Sequence, residues 1–475
     1  MWHIQEAYID GAFVRVEGQE EIDIVSPATE EVVGRLTLAN REDAKRAIAA
    51  AGGAQSGLGR TTPAERITML RRLQDTMLYC SSAIRDATIE EYGGPVARAQ
   101  WVANYAAQCF AIAAELLEDY AFTYQVGTAR VHMIPAGVSA LIAPWNSTAG
   151  TICSKLASAI AAGCAVVIKP SELSPLQTQV VTEAIHAAGL PAGAVNVVIG
   201  RGYDVGDELS TNEQIQRISF TGSTATGKLI ARAGLATMKR VSLALSGKSA
   251  SVVLDDADLG RAIPLAIRAA FTNSGQACVA GTRLLIPRSR MTEALERVRR
   301  EVDALRVGDP HDPHTSIGPL VNAAQVERIQ RFIQRGKEQG ATLIAGGEGR
   351  PEGLTRGWYV RPTVFADVRN DMDIAREEIF GPVLSILPYD NEEEAVAMAN
   401  DSPYGLQAYV FSADAVRADR VAGRLQAGMV LINRVDPELM APFGGVKQSG
   451  IGREFGLAGL EAFLEVKTVA AAQQP

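Results

Sequence analysis

Residues Gly137–Pro170 read GVSALIAPWNSTAGTICSKLASAIAAGCAVVIKP. Two short apolar runs, Val138–Ala143 and Ala165–Ile168, bracket an amphipathic stretch that opens after Pro144-Trp145-Asn146. Runs of four to six residues separated by helical patterns are the mark of βαβ units on a parallel sheet. The alternation continues through Val195–Ile199, Ile218–Phe220 and Ser251–Leu254, so one parallel sheet is expected from about 137 to 270. Ligands of such a sheet lie at the carboxyl ends of its strands. The pattern restarts after Cys278 with Arg283–Ile286, Val383–Leu387 and Met429–Ile432, which predicts a second α/β lobe.

Upstream, Thr62-Pro63-Ala64-Glu65 is a capping box with proline at the first helical position. The helix it starts carries Leu70, Leu73, Met77, Cys80 and Ile84 at helical spacing and is closed by Gly93-Gly94-Pro95. Phe463–Val469 and, more weakly, Ala129–Ile134 alternate polar and apolar residues like exposed strands. Two such edges invite pairing with another chain, hence a homo-oligomer. No internal repeat or low-complexity linker separates the lobes.

The chain has 475 residues, enough for two or three domains. With 47% hydrophobic and 21% charged residues it falls in the globular class. Forty-six lysines and arginines against 54 acidic residues give a net charge of −8, without the basic stripe that nucleic-acid binding needs. The longest apolar stretch, Leu156 to Ile168, is short of the ~20 residues of a spanning helix, and the N-terminus carries no targeting pattern. These features predict a cytoplasmic protein without nucleic-acid or membrane partners. The five cysteines are scattered with no CxxC pair, which argues against disulfides and thiolate zinc. His311 and His314 fall in a proline-bounded polar loop, so no metal site is expected.

Several residues could carry chemistry. Phe220-Thr-Gly222-Ser223 leads from a strand into a helix, where free N–H groups bind phosphate. Its P-loop likeness fails at Leu229, which replaces the magnesium-binding hydroxyl. Gly200-Arg-Gly202 gives backbone a second place to approach a ligand. Lys169 and Glu172, just beyond a strand, could hydrogen-bond ribose hydroxyls or merely terminate that strand. Asn146 could donate to an oxyanion or close a turn. Cys278, in a small, polar, glycine-bracketed stretch, is the cysteine whose setting could expose a thiolate. The other four lie in apolar or amphipathic runs.

In combination, Pro144-Trp145-Asn146, Lys169-Pro-Ser-Glu172, Phe220-Thr-Gly-Ser223, Gly275-Gln-Ala-Cys278, Glu377-Glu-Ile-Phe-Gly-Pro382, Pro442-Phe-Gly-Gly445 and Ser449-Gly-Ile-Gly-Arg-Glu454 resemble the NAD(P)-dependent aldehyde dehydrogenase superfamily over nearly the full chain. The resemblance implies an α/β fold: a Rossmann-like cofactor domain at 1–117 and 137–246, a catalytic domain at 247–446, and a small β oligomerisation element at 118–136 and 447–475 that builds a homodimer or homotetramer. It implies oxidation of an aldehyde, with Cys278 as nucleophile and Asn146 with the Cys278 N–H as oxyanion hole. Lys169 and Glu172 would hold the adenosine ribose, Gly222 and Ser223 the pyrophosphate, and Glu378 the nicotinamide ribose, with Phe380 against the nicotinamide. Gly202, Trp145 and Leu245 would line the cofactor cleft, and Lys155 with Glu454 would relay protons. Glu172 favours NAD, although Lys169 with Ser171 could admit NADP.

One position departs from the family pattern. Its general-base glutamate falls in Leu-Glu-Leu-Gly-Gly-Lys, which here reads Leu243-Ala244-Leu245-Ser246-Gly247-Lys248. A methyl group accepts no proton, and losing a general base forfeits about 100- to 10,000-fold in the step it serves. Three explanations stand: an engineered Glu→Ala change that slows deacylation, a natural variant whose base is Glu454 acting through water, or an acyl acceptor such as coenzyme A, as in a CoA-acylating semialdehyde dehydrogenase. A non-catalytic, cofactor-binding relative is a further reading, against which the intact Cys278, Asn146 and Glu378 argue. Ser147, Thr148, Ser154 and Ala277 are small beside the substrate path, suggesting a roomy entrance for an aromatic or medium-chain aldehyde. A carboxylate-bearing semialdehyde would call for an arginine in the tunnel, and the sequence reading places none.

Overall fold

In the computed structural model, which describes residues 1–471, the run opening at Val138 becomes the strand Ser139–Ile142, buried along its length. Parallel neighbours cover both its edges: Val166–Lys169 on one side and Arg217–Thr221 on the other. Val195–Val197 extends the sheet beyond Val166–Lys169, and Arg240–Ala244 extends it beyond Arg217–Thr221. Antiparallel strands close the two ends, Glu6–Ile9 with Ala12–Arg15 at one and Gly450–Ile451 at the other, giving eight strands.

Ser251–Leu254 was expected in this sheet, and the structure corrects that. Ala250–Val253 is instead an interior strand of the second sheet, between Arg283–Pro287 and Gln407–Phe411. Its place in the first sheet is taken by Arg240–Ala244, whose polar residues hide the strand signal but are satisfied in place. The buried Ser242 accepts from Arg217 across the pair. The second sheet therefore starts before Cys278, at Ala250. It has seven strands, all paired in parallel except the edge strand Thr342–Ala345.

The capping box at Thr62 forms, with Thr62 Oγ1 accepting from the Glu65 N–H and Glu65 accepting from the Thr62 N–H. The helix ends at Tyr79 rather than running on past Ile84. Cys80 caps it and begins Ser81–Tyr92, with no glycine or proline to mark the joint. The helix from Pro63 to Tyr79 and Val96–Glu118 pack against Thr148–Ala162, whose alanines, serines and glycine allow close approach, while Ser81–Tyr92 packs on Val96–Glu118 and Pro175–Ala187. The two exposed strands predicted from alternation do form, but they pair with each other. Ala129–Pro135 lies antiparallel to Leu464–Ala470, with Thr123–Val126 on its other side. Free edges remain at Thr123–Val126 and Leu464–Ala470, where Tyr124, Val126, Val466 and Val469 are exposed. Gly450–Ile451 joins the first sheet, so of the 447–475 segment only Leu464–Ala470 enters the small sheet, and residues 472–475 lie outside the described residues. Among the described residues no helix is long and apolar enough to cross a membrane.

Candidate active site

The order of the first sheet defines a crevice. From Ser139–Ile142 the chain adds strands outward on one side through Val166–Lys169 and Val195–Val197, then returns to build Arg217–Thr221 and Arg240–Ala244 on the other. The connections leaving Ile142 and Thr221 diverge, and ligands bind at such a switch point. Asn146 follows one strand and Gly222 the other. Opposite them stand loops entering the amino ends of the second sheet's strands: Cys278 before Arg283–Pro287, Glu378 and Phe380 before Val383–Tyr389. The cleft between the sheets has a volume of about 430 Å³ and is lined by Trp145, Asn146, Gly222, Ser223, Ala244, Cys278, Glu378 and Phe380. Eight residues singled out from sequence thus share one cavity.

The Cys278 loop is held by conformational strain. Asn273, Ser274 and Gly275 are consecutively left-handed, with φ of 55°, 56° and 74°, a state that asparagine and serine occupy only when neighbours enforce it. Those neighbours are visible. Asn146 donates its amide to the Gln276 carbonyl at 2.9 Å, and Asn273 donates to the same carbonyl and to that of Asn146, both at 3.0 Å. Gln276, fully buried, accepts from the Val321 N–H and donates to the Tyr92 hydroxyl. Asn146 keeps one amide hydrogen uncommitted to the Gln276 carbonyl, and the Cys278 N–H lies beside the sulfur. Burial and the Glu378 carboxylate push the Cys278 thiol up to about 12, opposed in part by the Cys278 and Val279 N–H groups.

Ala244 ends its strand in register with Thr221 and Gly450, and its carbonyl accepts from the Gly222 N–H at 3.1 Å. Its methyl faces the cleft that holds Cys278. Lys155 is buried, ion-paired with Glu454, and donates to Ser219 Oγ at 2.9 Å. Burial pulls the Lys155 ammonium down and Glu454 counters it.

At the other end of the cleft, Ser223 caps the helix Thr224–Gly234, its Oγ accepting from the Thr226 N–H. Gly227 in that helix admits Leu245 against the backbone; a Cβ there would strike the leucine side chain. Leu245 is therefore buried beneath the helix, with its own N–H given to the Ser449 carbonyl. Lys169, buried at its strand end, donates to the Pro170 carbonyl at 3.0 Å and stands 3.8 Å from Glu172. Glu172 is also paired with Arg201 at 3.3 Å. Gly202 faces open space, with no atom within 4 Å of where a Cβ would stand. Trp145 and Phe380 meet edge to face at 5.4 Å, and Phe380 is itself left-handed at φ 63°. Glu378 accepts from the Gly247 N–H at 3.0 Å, and burial raises its carboxyl.

Two buried polar atoms of cleft residues, Thr221 Oγ1 and Gln325 Oε1, have no hydrogen-bond partner among the described residues. A buried polar group left unpaired is uncommon in a folded protein. Together with a helix N-terminus and the open approach at Gly202, these atoms fit a long, polar, phosphate-bearing ligand. His311 and His314 lie in turns where each backbone N–H bonds the side chain of Asp309 or Asp312, and no group of metal-binding side chains occurs among the described residues. Sequence reading gave no role to Gln276, Asn273, Tyr92 or Arg201; apart from the local Asn273–Gln276 bond their partners are 29 to 184 residues distant, and no local pattern marks them.

Residues 13–469 match the aldehyde dehydrogenase family. The chain is 43% identical over 467 residues to 3-succinoylsemialdehyde-pyridine dehydrogenase from a Pseudomonas species, covering 98% of each. Its fold superposes with a TM-score of 0.97 on a mutant of aldehyde dehydrogenase C from Pseudomonas syringae, complexed with NAD+ and octanal, at 43% identity over 98% of this chain and 96% of that one. A TM-score of 0.97 is also found with an aldehyde dehydrogenase from Bartonella henselae, at 37% identity over 99% and 100%. The cysteine, the amide and the glycine-serine turn at a helix N-terminus share one cleft of a two-lobed α/β fold, and the chain belongs to the aldehyde dehydrogenase family.

Proposed function

We propose that this enzyme oxidises an aldehyde to a carboxylic acid through covalent attachment to Cys278, with release of the acid impaired by Ala244. The observation that carries the reading is the meeting of Cys278, Asn146 and Ala244 in one cleft. NAD is the cofactor, and the relatives solved with NAD+ support it; when bound, it takes up the hydride released from the substrate carbon. Gly222, Ser223 and the N-terminus of the helix behind them would hold its pyrophosphate, Lys169 and Glu172 one ribose, and Glu378 the other. Phe380 and Trp145 would bound the nicotinamide end. The cofactor domain (1–117 and 137–246) and catalytic domain (247–446) divide the work at the crevice, and the sheet of Thr123–Val126, Ala129–Pro135 and Leu464–Ala470 supplies the edges for a homodimer or homotetramer.

The Cys278 thiolate attacks the aldehyde carbon and leaves a thiohemiacetal oxyanion. The free Asn146 amide hydrogen and the Cys278 N–H are placed to donate to it, a role worth about 100- to 1000-fold in rate per donor. Loss of hydride from the same carbon leaves an acyl-thioester on Cys278. Water must then attack, and it needs a base. Lys155 and Glu454 neutralise each other and can pass a proton through Ser219, but the position facing the thioester carries only the Ala244 methyl. We read Ala244 as an engineered Glu→Ala change in an otherwise complete site, because the cleft, the strained loop and the oxyanion donors are all in place around it.

Mixing enzyme, NAD and aldehyde should give a burst of NADH followed by slow turnover, and Ala244→Glu should raise the steady rate at least ~10-fold. Equal steady rates in the two proteins would overturn the role of position 244. Absence of a mass adduct on Cys278 would overturn the covalent reading.

A further inference from the structure

The helix Ser81–Tyr92 ends on two buried polar residues, Glu91 and Tyr92. Glu91 accepts from the N–H groups of Leu176 at 2.5 Å and Gln177 at 2.9 Å, in the first turn of Pro175–Ala187, where Ser174 provides no side-chain cap. Its two carboxyl oxygens take the place of that cap. Gln177 in turn accepts from the Ala149 N–H at 3.4 Å, in the first turn of the helix that follows Asn146. The end of Ser81–Tyr92 is thereby tied to the helix behind Asn146.

Tyr92 reaches the other side of the same asparagine. Its hydroxyl donates to the Asn273 carbonyl at 3.3 Å and accepts from Gln276 Nε2 at 3.2 Å, so one oxygen bridges both ends of the left-handed turn before Cys278. Burial holds the phenol protonated, which keeps it a donor at working pH. The other amide atom of Gln276 is fixed by the Val321 N–H, and its backbone carbonyl is the acceptor to which Asn146 donates. Without the Tyr92 oxygen a buried Gln276 N–H has no partner, and a left-handed backbone persists only while its surroundings enforce it. The ring has a separate neighbour: it lies 5.9 Å from Trp145, which meets Phe380 edge to face. Tyr92 itself stays behind the cleft lining.

We propose that Tyr92 is the positioning residue of the oxyanion hole. Its hydroxyl fixes Gln276 and, through the Gln276 carbonyl, the Asn146 amide, while its ring backs the Trp145–Phe380 wall at the cofactor end of the cleft. This rests on Cys278 as the nucleophile and Asn146 as an oxyanion donor.

The test compares the parent with Tyr92→Phe, which keeps the ring and removes the oxygen, and with Tyr92→Leu, which removes both. In NADH bursts with hexanal and benzaldehyde, Tyr92→Phe should lower the limiting rate about 5- to 50-fold, short of the ~100-fold or more that removing a donor outright would cost. Its apparent NAD constant should stay within about twofold, whereas Tyr92→Leu should lose the same rate and also weaken NAD by about threefold or more. Alkylation of Cys278 by iodoacetamide builds no oxyanion, so its rate in Tyr92→Phe should stay within about threefold of the parent. Hydrogen exchange read by mass spectrometry follows the loop without any substrate: a peptide spanning 272–281 should exchange faster in Tyr92→Phe, with the strand Val195–Val197 unchanged. A parental burst rate in Tyr92→Phe, or alkylation and burst that fall together, would overturn the proposal, and unchanged exchange in the loop refutes it whatever the burst. If the parent gives no burst with either aldehyde, the failure touches the reading of Cys278 alone, and exchange decides for Tyr92: a faster loop sustains the tie.

Discussion

Lys155 and Glu454, 299 residues apart in sequence, form an ion pair in which the lysine side chain is 1% exposed and the carboxylate 14%. Desolvation of the ammonium is tolerated because Glu454 and Ser219 surround it. Glu454→Gln leaves that ammonium buried and uncompensated, and it should destabilise the protein by about 3–5 kcal/mol. The combined Lys155→Met and Glu454→Leu variant should recover most of the loss. Urea unfolding of all three proteins measures this; a single variant that costs under ~1 kcal/mol would show that the pair is not what satisfies Lys155.

The raised Cys278 pKa sets a pH dependence. Below about 12 the thiol is mostly protonated, so alkylation by iodoacetamide should speed up about tenfold per pH unit from 7 to 9.5 in the absence of cofactor. Removing the adjacent negative charge favours the thiolate, so Glu378→Gln should lower the pKa and quicken alkylation at every pH in that range. Peptide mapping of the labelled protein reads both effects. A rate independent of pH would mean that the thiolate is already formed at neutrality.

How far the sequence could be read depended on whether each signal was local. Val138–Ala143 and Ala165–Ile168 are buried on both faces, so an unbroken apolar run announces them. Arg240–Ala244 has no such run, because Ser242 inside it is satisfied by Arg217, and Ser251–Leu254 was consequently placed in the wrong sheet. The break at Cys80 has no glycine or proline to betray it. Within the site, Cys278, Asn146, Gly222 and Glu378 sit in short stretches whose composition suits turns at strand ends. Arg201 sits in no such stretch, since its meaning lies in what surrounds it, two glutamates from distant segments.

Gly275 is the loop position with least latitude. It is left-handed at φ 74°, and a Cβ there would fall on the Gly381 carbonyl, in the segment that carries Phe380. Gly275→Ala should destabilise the protein by more than about 1 kcal/mol and abolish the NADH burst, since the loop and the facing segment must separate. A variant with parental Tm and burst would show that the loop adapts without cost.

On the proposed placing of the adenosine ribose at Glu172, cofactor choice would turn on that carboxylate, which is shared between Lys169 at 3.8 Å and Arg201 at 3.3 Å, the latter also paired with Glu20 at 2.6 Å. A carboxylate at the adenosine ribose repels a 2′-phosphate, but here two cations blunt its charge. Glu172→Gln removes the repulsion and frees both cations, so the ratio of NADP to NAD efficiency should rise by about tenfold or more. Arg201→Gln should move the ratio the other way, because the carboxylate loses a counter-charge while the phosphate loses a partner. Burst rates at a fixed aldehyde with each cofactor measure the ratio directly. If both variants shift it in the same direction, Arg201 holds Glu172 in position rather than balancing its charge, and the selectivity lies in geometry.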